Sequence, residues 1–178
     1  IKVGENLNRE ISLIDVGTGA GFPGIPLKIA FPDLQVTLLD SLNKRVKFLN
    51  EVIEQLELRK ISAIHGRAED FGSNCDYREK YDYCVSRAVA NLSTLSEYCL
   101  PFVKVGGRFF AYKSGEVEEE VNFATSAVQK LGGLITDIVK FSLIEAEAER
   151  SFVVSEKRSI TGKRYPRKAG MPSKEPLK

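Results

Sequence analysis

A strand-like run that breaks at once into closely spaced glycines constrains this chain more than any other feature. Ser12-Leu13-Ile14-Asp15-Val16 has the apolar, β-branched character of a buried strand, and Gly17-Thr18-Gly19-Ala20-Gly21 follows it directly. Glycine has no Cβ, so alternating glycines let the backbone turn sharply and let a ligand approach it closely. Phe22-Pro23-Gly24 impose a second turn. A helix then follows, with Pro26 in its first turn, where a missing N–H is harmless, and with Phe31-Pro32-Asp33 closing it. Strand, glycine loop and helix make the opening of a βα unit.

The same alternation continues along the chain. Gln35 to Asp40 is the second strand, and Leu42, Val46, Leu49, Val52, Ile53 and Leu56 then recur at helical spacing with Asn43 as the expected N-cap. Further strands are expected at Ile61 to His65, Tyr81 to Ser86 and Arg108 to Tyr112, and helices over Leu92 to Val103 and Glu116 to Leu131. Gly106-Gly107 and Gly132-Gly133 punctuate them. Leu134 to Leu143 and Arg150 to Ser155 are separated chiefly by Glu145-Ala146-Glu147-Ala148-Glu149, too short for a crossover helix, so they should pair as an antiparallel hairpin. The fold class expected is α/β, a doubly wound, mostly parallel, seven-stranded sheet closed by that hairpin. Rossmann-like class I methyltransferases are organised this way, whereas a dehydrogenase half-domain would continue with parallel crossovers.

A chain of 178 residues suits one hydrophobic core. Residues 1–157 are expected to form the catalytic body, and residues 158–178 a basic C-terminal segment of the same domain. Glu156 to Lys178 holds eight Lys or Arg against two Glu, a net +6, which leaves −4 for the rest. Such polarity suits a surface for a polyanion, most plausibly nucleic acid, with a merely solvated tail as the plain alternative. No apolar run approaches the ~20 residues of a membrane span. Three cysteines, at positions 75, 84 and 99, lack CxxC spacing, so neither a disulfide framework nor a zinc site is expected, and a reducing cytoplasm fits. The opening Ile1-Lys2-Val3-Gly4-Glu5-Asn6 lacks the regions of a secretory signal and reads as the cut end of a longer chain. A cytoplasmic monomer without metal is the expectation.

The glycine spacing is GxGxG, not the GxGxxG of the dinucleotide fingerprint, and the second turn delays the helix N-terminus that a pyrophosphate would use. An adenosine ligand that carries positive charge and no phosphate fits better, with Gly17, Gly19 and Gly21 beneath it and Asp15 nearby. S-adenosylmethionine is such a molecule; a nicotinamide-dependent oxidoreductase is the less favoured reading. Asp40 ends the second strand 19 positions after Gly21, where a carboxylate can accept both ribose hydroxyls, unless it simply caps the next helix. Ser41 and Leu42 would border the ribose and adenine. The acidic loop His65-Gly66-Arg67-Ala68-Glu69-Asp70-Phe71 leaves the third strand at the same edge and offers backbone N–H groups to the adenine.

After the fourth strand comes Ser86-Arg87-Ala88-Val89, where Arg87 can align the donor, hold an RNA phosphate or guanine edge, or make a structural salt bridge. The absence there of an NPPY-type element and of a Pro-Cys pair disfavours methylation at adenine N6, cytosine N4 and cytosine C5. His65, the one histidine, and the thiols of Cys84 and Cys99 read as structural.

Asp-Val-Gly-Thr-Gly-Ala-Gly-Phe-Pro-Gly-Ile-Pro, Leu-Leu-Asp-Ser-Leu-Asn-Lys-Arg, Arg-Ala-Glu-Asp, Ser-Arg-Ala-Val-Ala and Tyr-Pro-Arg-Lys-Ala-Gly occur in that order. Over Ser12 to Lys178 the chain thereby resembles the glucose-inhibited division protein B family, bacterial methyltransferases that modify a guanine N7 of small-subunit ribosomal RNA. The resemblance implies that Gly17, Phe22, Asp40, Ser41, Leu42, Ala68, Glu69 and Arg87 contact S-adenosylmethionine. It further implies that Arg67, Arg87 and the segment containing Lys163, Arg164, Arg167 and Lys168 serve the RNA. Members of that family carry additional helical sequence before the first strand. A non-catalytic module that binds the same donor and RNA is the alternative, since a fold does not prove an activity.

Overall fold

Residues 10–87, 90–143 and 148–178 are described in a computed structural model of the chain. The expectations placed on Ile1 to Asn6, on Ala88 and Val89 and on Glu145 to Glu147 lie outside those residues. The described elements run β1 (Ser12–Val16), α1 (Gly24–Ala30), β2 (Gln35–Asp40), α2 (Asn43–Gln55), β3 (Ile61–His65), α3 (Ala68–Ser73), β4 (Tyr81–Arg87), α4 (Leu92–Cys99), β5 (Val103–Ser114), α5 (Glu118–Lys130), β6 (Gly133–Leu143), β7 (Ala148–Lys157) and α6 (Met171–Lys174).

One seven-stranded sheet orders these strands β3-β2-β1-β4-β5-β7-β6. The first five are parallel, and β7 inserts antiparallel between β5 and β6, which confirms the closing hairpin. Its two faces follow from strand alternation. Ile14, Cys84, Phe109, Ala111 and Val153 point to one face and meet Leu92, Leu95, Ala124 and Val128 of α4 and α5 in the larger core. Phe109 is fully buried, and removing a side chain of that size from water stabilises the fold by roughly 1.5–3 kcal/mol. Leu13, Val36, Leu38 and Val85 point to the other face, where Ile25 of α1 and Leu49 of α2 cover them. Beyond α1, among the described residues, this second face carries an aromatic groove of about 540 Å³ that includes Tyr83, Phe110, Tyr112 and Phe152.

Several boundaries differ from expectation for local reasons. Asn43 is the first helical residue of α2, not its cap, because Asp40 Oδ1 already accepts the N–H of Leu42 at 2.9 Å and turns the chain earlier. The stretch read as an acidic loop after β3 becomes the helix α3, with Glu69 and Asp70 in the first turn, where carboxylates favour the positive end of the dipole. The expected Leu92–Val103 helix stops at Cys99, then tightens into a 3-10 turn over Leu100–Phe102 around Pro101. β5 therefore starts five residues earlier than expected, and Gly106, at φ 85°, lies within it.

Candidate active site

Strand order reverses between β1 and β4, and at such a switch point the loops leaving neighbouring strands diverge and open a crevice at their carboxyl ends. The glycine loop sits there. Gly17, Gly19 and Gly21 have φ of 70°, 63° and 94°, a region that residues with a Cβ seldom enter. The N–H groups of Gly17 and Thr18 donate to Leu39 O, which ties the loop to the end of β2. The glycines divide the work. A Cβ at Gly21 would lie 2.4 Å from Ile25 Cδ1, so Gly21 lets α1 pack against the loop, and one at Gly24 would lie 2.3 Å from Leu38 Cδ2, so Gly24 lets α1 close on the sheet. A Cβ at Gly19 would meet nothing within 4 Å, so this residue presents bare backbone to open space.

Two buried carboxylates stand behind that backbone. Asp15 Oδ2 accepts from Thr18 Oγ1 at 2.7 Å and from the N–H of Gly24 at 2.8 Å. Its Oδ1 is buried and has no hydrogen-bond partner among the described residues. Burial raises the Asp15 pKa to about 6, partly offset by those two bonds and by the charge of Arg87. Asp40 Oδ2 accepts from the N–H of Gly19 at 2.9 Å and pairs with Arg45 Nη1 at 3.3 Å. Asp40 thus both caps the turn into α2 and fastens the glycine loop, and a carboxylate's roughly four acceptor positions leave room for a further donor. Ser41 and Leu42 lie exposed beside it, and Ser41 O lies 3.1 Å from His65 Nε2.

A cleft of about 850 Å³ runs from Gly17, Gly19 and Arg45 past Phe22 and Arg87 to Tyr112, Phe141 and Phe152. Its size is within the ordinary range for small-molecule sites. Phe22 is 47% exposed, and the Arg87 guanidinium lies 5.5 Å from its ring centroid, a cation–π contact that spans the mouth. Burial pushes the Tyr112 phenol up to about 12, so it stays neutral. The sequence reading missed Arg45, Tyr112, Phe141 and Phe152. The signal for the three aromatic residues lay in strand alternation, since Phe109 and Ala111 face the core and leave Tyr112 on the opposite face.

The remaining predicted residues gather around α3 and the C-terminal segment. Arg67 is exposed at the N-cap of α3, and Ala68 and Glu69 follow in its first turn. The Glu69 side chain is turned toward the tail, where Oε1 accepts the N–H of Gly170 at 2.8 Å. The tail is anchored, not loose. Arg78 donates to the carbonyls of Gly72, Thr161 and Tyr165, and buried Lys157 donates to Leu100 O, Val103 O and Thr161 Oγ1. Burial lowers the Lys157 pKa to about 8, against the raising effect of nearby Glu79. Arg167 makes a two-pronged pair with the fully buried Glu97, at 2.9 Å and 2.7 Å. Arg167 is therefore spent on the fold. Lys163, Arg164 and Lys168 remain exposed. Among the described residues no cluster of metal-ligating side chains occurs, and no helix is long and apolar enough to cross a membrane.

Comparison with known proteins agrees with this architecture. A protein titled ribosomal RNA small subunit methyltransferase G from Acetivibrio thermocellus is 58% identical over 170 residues, covering 96% of this chain and 70% of its own length. Its namesake from Clostridium botulinum is 54% identical over 167 residues, with 94% and 70% covered. At the level of fold alone, geranyl diphosphate C-methyltransferase from Streptomyces coelicolor superposes with a TM-score of 0.62 at 12% identity, over 83% of this chain and 73% of that one. The family model described as rRNA small subunit methyltransferase G matches residues 1–152, and the chain belongs to that family, GidB.

Proposed function

We propose that this chain transfers a methyl group from S-adenosylmethionine to N7 of a guanine in small-subunit ribosomal RNA. The observation that carries the donor site is the bare backbone of Gly19 facing open space, flanked by two buried carboxylates. That arrangement fits a cationic adenosine compound. Asp40 accepts the ribose hydroxyls in place of its exposed partner Arg45, and Asp15, behind the loop, supplies negative charge toward a positive ligand. Gly17, Gly21, Phe22, Ser41 and Leu42 frame the adenosyl moiety. Ala68 and Glu69 serve through their backbone, because the Glu69 carboxylate is engaged by Gly170.

When bound, S-adenosylmethionine supplies an electrophilic methyl group on a sulfonium. Guanine N7 has a lone pair and no proton to lose, so the protein needs no general base. Its tasks are alignment and a suitable electrostatic field. Arg87, held over Phe22 at the mouth of the cleft, orients the acceptor. Arg67, Lys163, Arg164 and Lys168 supply the exposed positive charge for phosphate. We further infer that the protein works as a monomer in the cytoplasm.

The test pairs two measurements on the purified protein. Calorimetry should detect S-adenosylhomocysteine and not NAD, and label from methyl-labelled S-adenosylmethionine should enter small-subunit RNA. Binding of NAD in preference, or donor binding without any transfer to RNA, contradicts the proposal.

A further inference from the structure

The two ends of the cleft differ in chemistry. At one end lie the glycine loop and Arg45; at the other lie three aromatic rings on the last three strands of the sheet. Backbone register puts them on one face. Arg87 of β4 is paired with Tyr112 of β5, and Tyr112 with Phe152 of β7. Phe141 of β6 is paired with Arg150, diagonally beside Phe152. Directly paired residues point to the same side of a sheet, so a guanidinium and two rings stand in line across three strands. The rings touch. Tyr112 and Phe152 have centroids 4.5 Å apart, edge to face, and Phe141 and Phe152 are 4.7 Å apart at 34°. All three are partly exposed among the described residues and line the same cleft as Gly17 and Gly19.

The proposed reaction restricts what can occupy this end. Transfer to a base requires the base and the donor in one cavity, and the cleft that holds the glycine loop also holds these rings. A base that reacts at N7 must leave its neighbours in folded RNA, because the major groove of an RNA helix is too deep and narrow for side chains. Enzymes that act on an extruded base offer aromatic faces to replace the lost stacking. The cleft has matching charge for the attached phosphates, since Arg87 is paired with Tyr112 and Arg150 with Phe141, and both arginines line it.

We propose that Tyr112, Phe152 and Phe141 form the stacking platform for the unstacked purine that accepts the methyl group, with Arg87 between this platform and the glycine loop. The proposal rests on the methyltransferase reading of the cleft. It adds a prediction that reading lacks: RNA turnover depends on ring faces on β5, β6 and β7, and donor binding does not.

The experiment compares Phe141→Leu, Tyr112→Leu and Phe141→Tyr with the unsubstituted protein. It measures S-adenosylhomocysteine affinity, thermal midpoint, and kcat and KM for small-subunit RNA. Both leucine variants keep an apolar side chain but lose the ring face, and kcat/KM for RNA should fall roughly tenfold to a hundredfold, the scale of a lost base–aromatic stack. S-adenosylhomocysteine affinity and thermal midpoint should hold, and Phe141→Tyr should retain turnover. Wild-type RNA turnover in both leucine variants overturns the platform. A parallel loss of S-adenosylhomocysteine affinity overturns it differently, by assigning the rings to the donor. If the unsubstituted protein binds no S-adenosylhomocysteine, the underlying reading of the cleft fails and the platform falls with it.

Discussion

The glycine loop and the C-terminal tail both stand out in the sequence, yet they use their charges in opposite ways. At the loop, two acidic side chains are buried behind the backbone beside the cleft and bond to the loop's own N–H groups. In the tail, eight basic residues between Glu156 and Lys178 divide into two populations. Lys157 and Arg167 are turned inward to carbonyls and to buried Glu97, while Lys163, Arg164 and Lys168 face solvent. A charge count therefore measures how basic a segment is without measuring how much of it is available to a polyanion.

The largest effect that sharpens this contrast is on stability. Arg167→Ala leaves the Glu97 carboxylate buried without its partner and should destabilise the fold by about 3–5 kcal/mol, read as a shift in denaturant midpoint. A change under about 1 kcal/mol would return Arg167 to the solvent-facing population. Next in size is the loop. Asp40→Ala removes the acceptor of the Gly19 N–H and the ribose acceptor together, and S-adenosylhomocysteine affinity should fall about tenfold to a hundredfold by calorimetry. Unchanged affinity would reduce Asp40 to a cap of α2.

A smaller effect separates the tail's exposed group from its anchored one. Replacing Lys163, Arg164 and Lys168 by Ala should flatten the log–log salt dependence of RNA binding by up to about 2, given a contribution near 0.7 per single-strand phosphate contact. Donor affinity should not move. An unchanged slope would leave these three side chains as solvated decoration. The smallest effect is on pH. Asp15 has a pKa raised to about 6 by burial, so a cationic donor, which favours the ionised form, should bind severalfold more weakly as pH falls through 6. In the free protein the sign is reversed. Ionising this buried acid costs stability, so its contribution is most favourable below the ordinary value of 3.8 and declines as pH rises through 6. Asp15→Asn should flatten both profiles, and a donor affinity that is constant with pH in the unsubstituted protein would remove Asp15 from the site's electrostatics.

The difference between the regions also explains what was legible in the sequence. The glycine loop, the acid closing β2 and the closing hairpin are local, because spacing along the chain decides them. The inward turn of Arg167 could not be read that way, since Glu97 lies 70 residues distant and meets it only through the fold. The same holds for Glu69, whose acidic neighbourhood resembled a loop until α3 and Gly170 were brought together. Tyr112, Phe141 and Phe152 were missed because aromatic residues in strands ordinarily signal core, and only the assembled sheet brings them into the cleft that also holds Gly17 and Gly19.

The central claim is methyl transfer to guanine N7 of small-subunit ribosomal RNA, and one measurement addresses it directly. The protein is incubated with methyl-labelled S-adenosylmethionine and small-subunit RNA from cells that lack guanine-N7 methylation, naked and assembled into subunits, and the label is mapped to the nucleotide. The account predicts label at N7 of a single guanine, reduced in Asp40→Ala at limiting donor. Label on another atom or another base, or none on either form of the RNA despite donor binding, would contradict it.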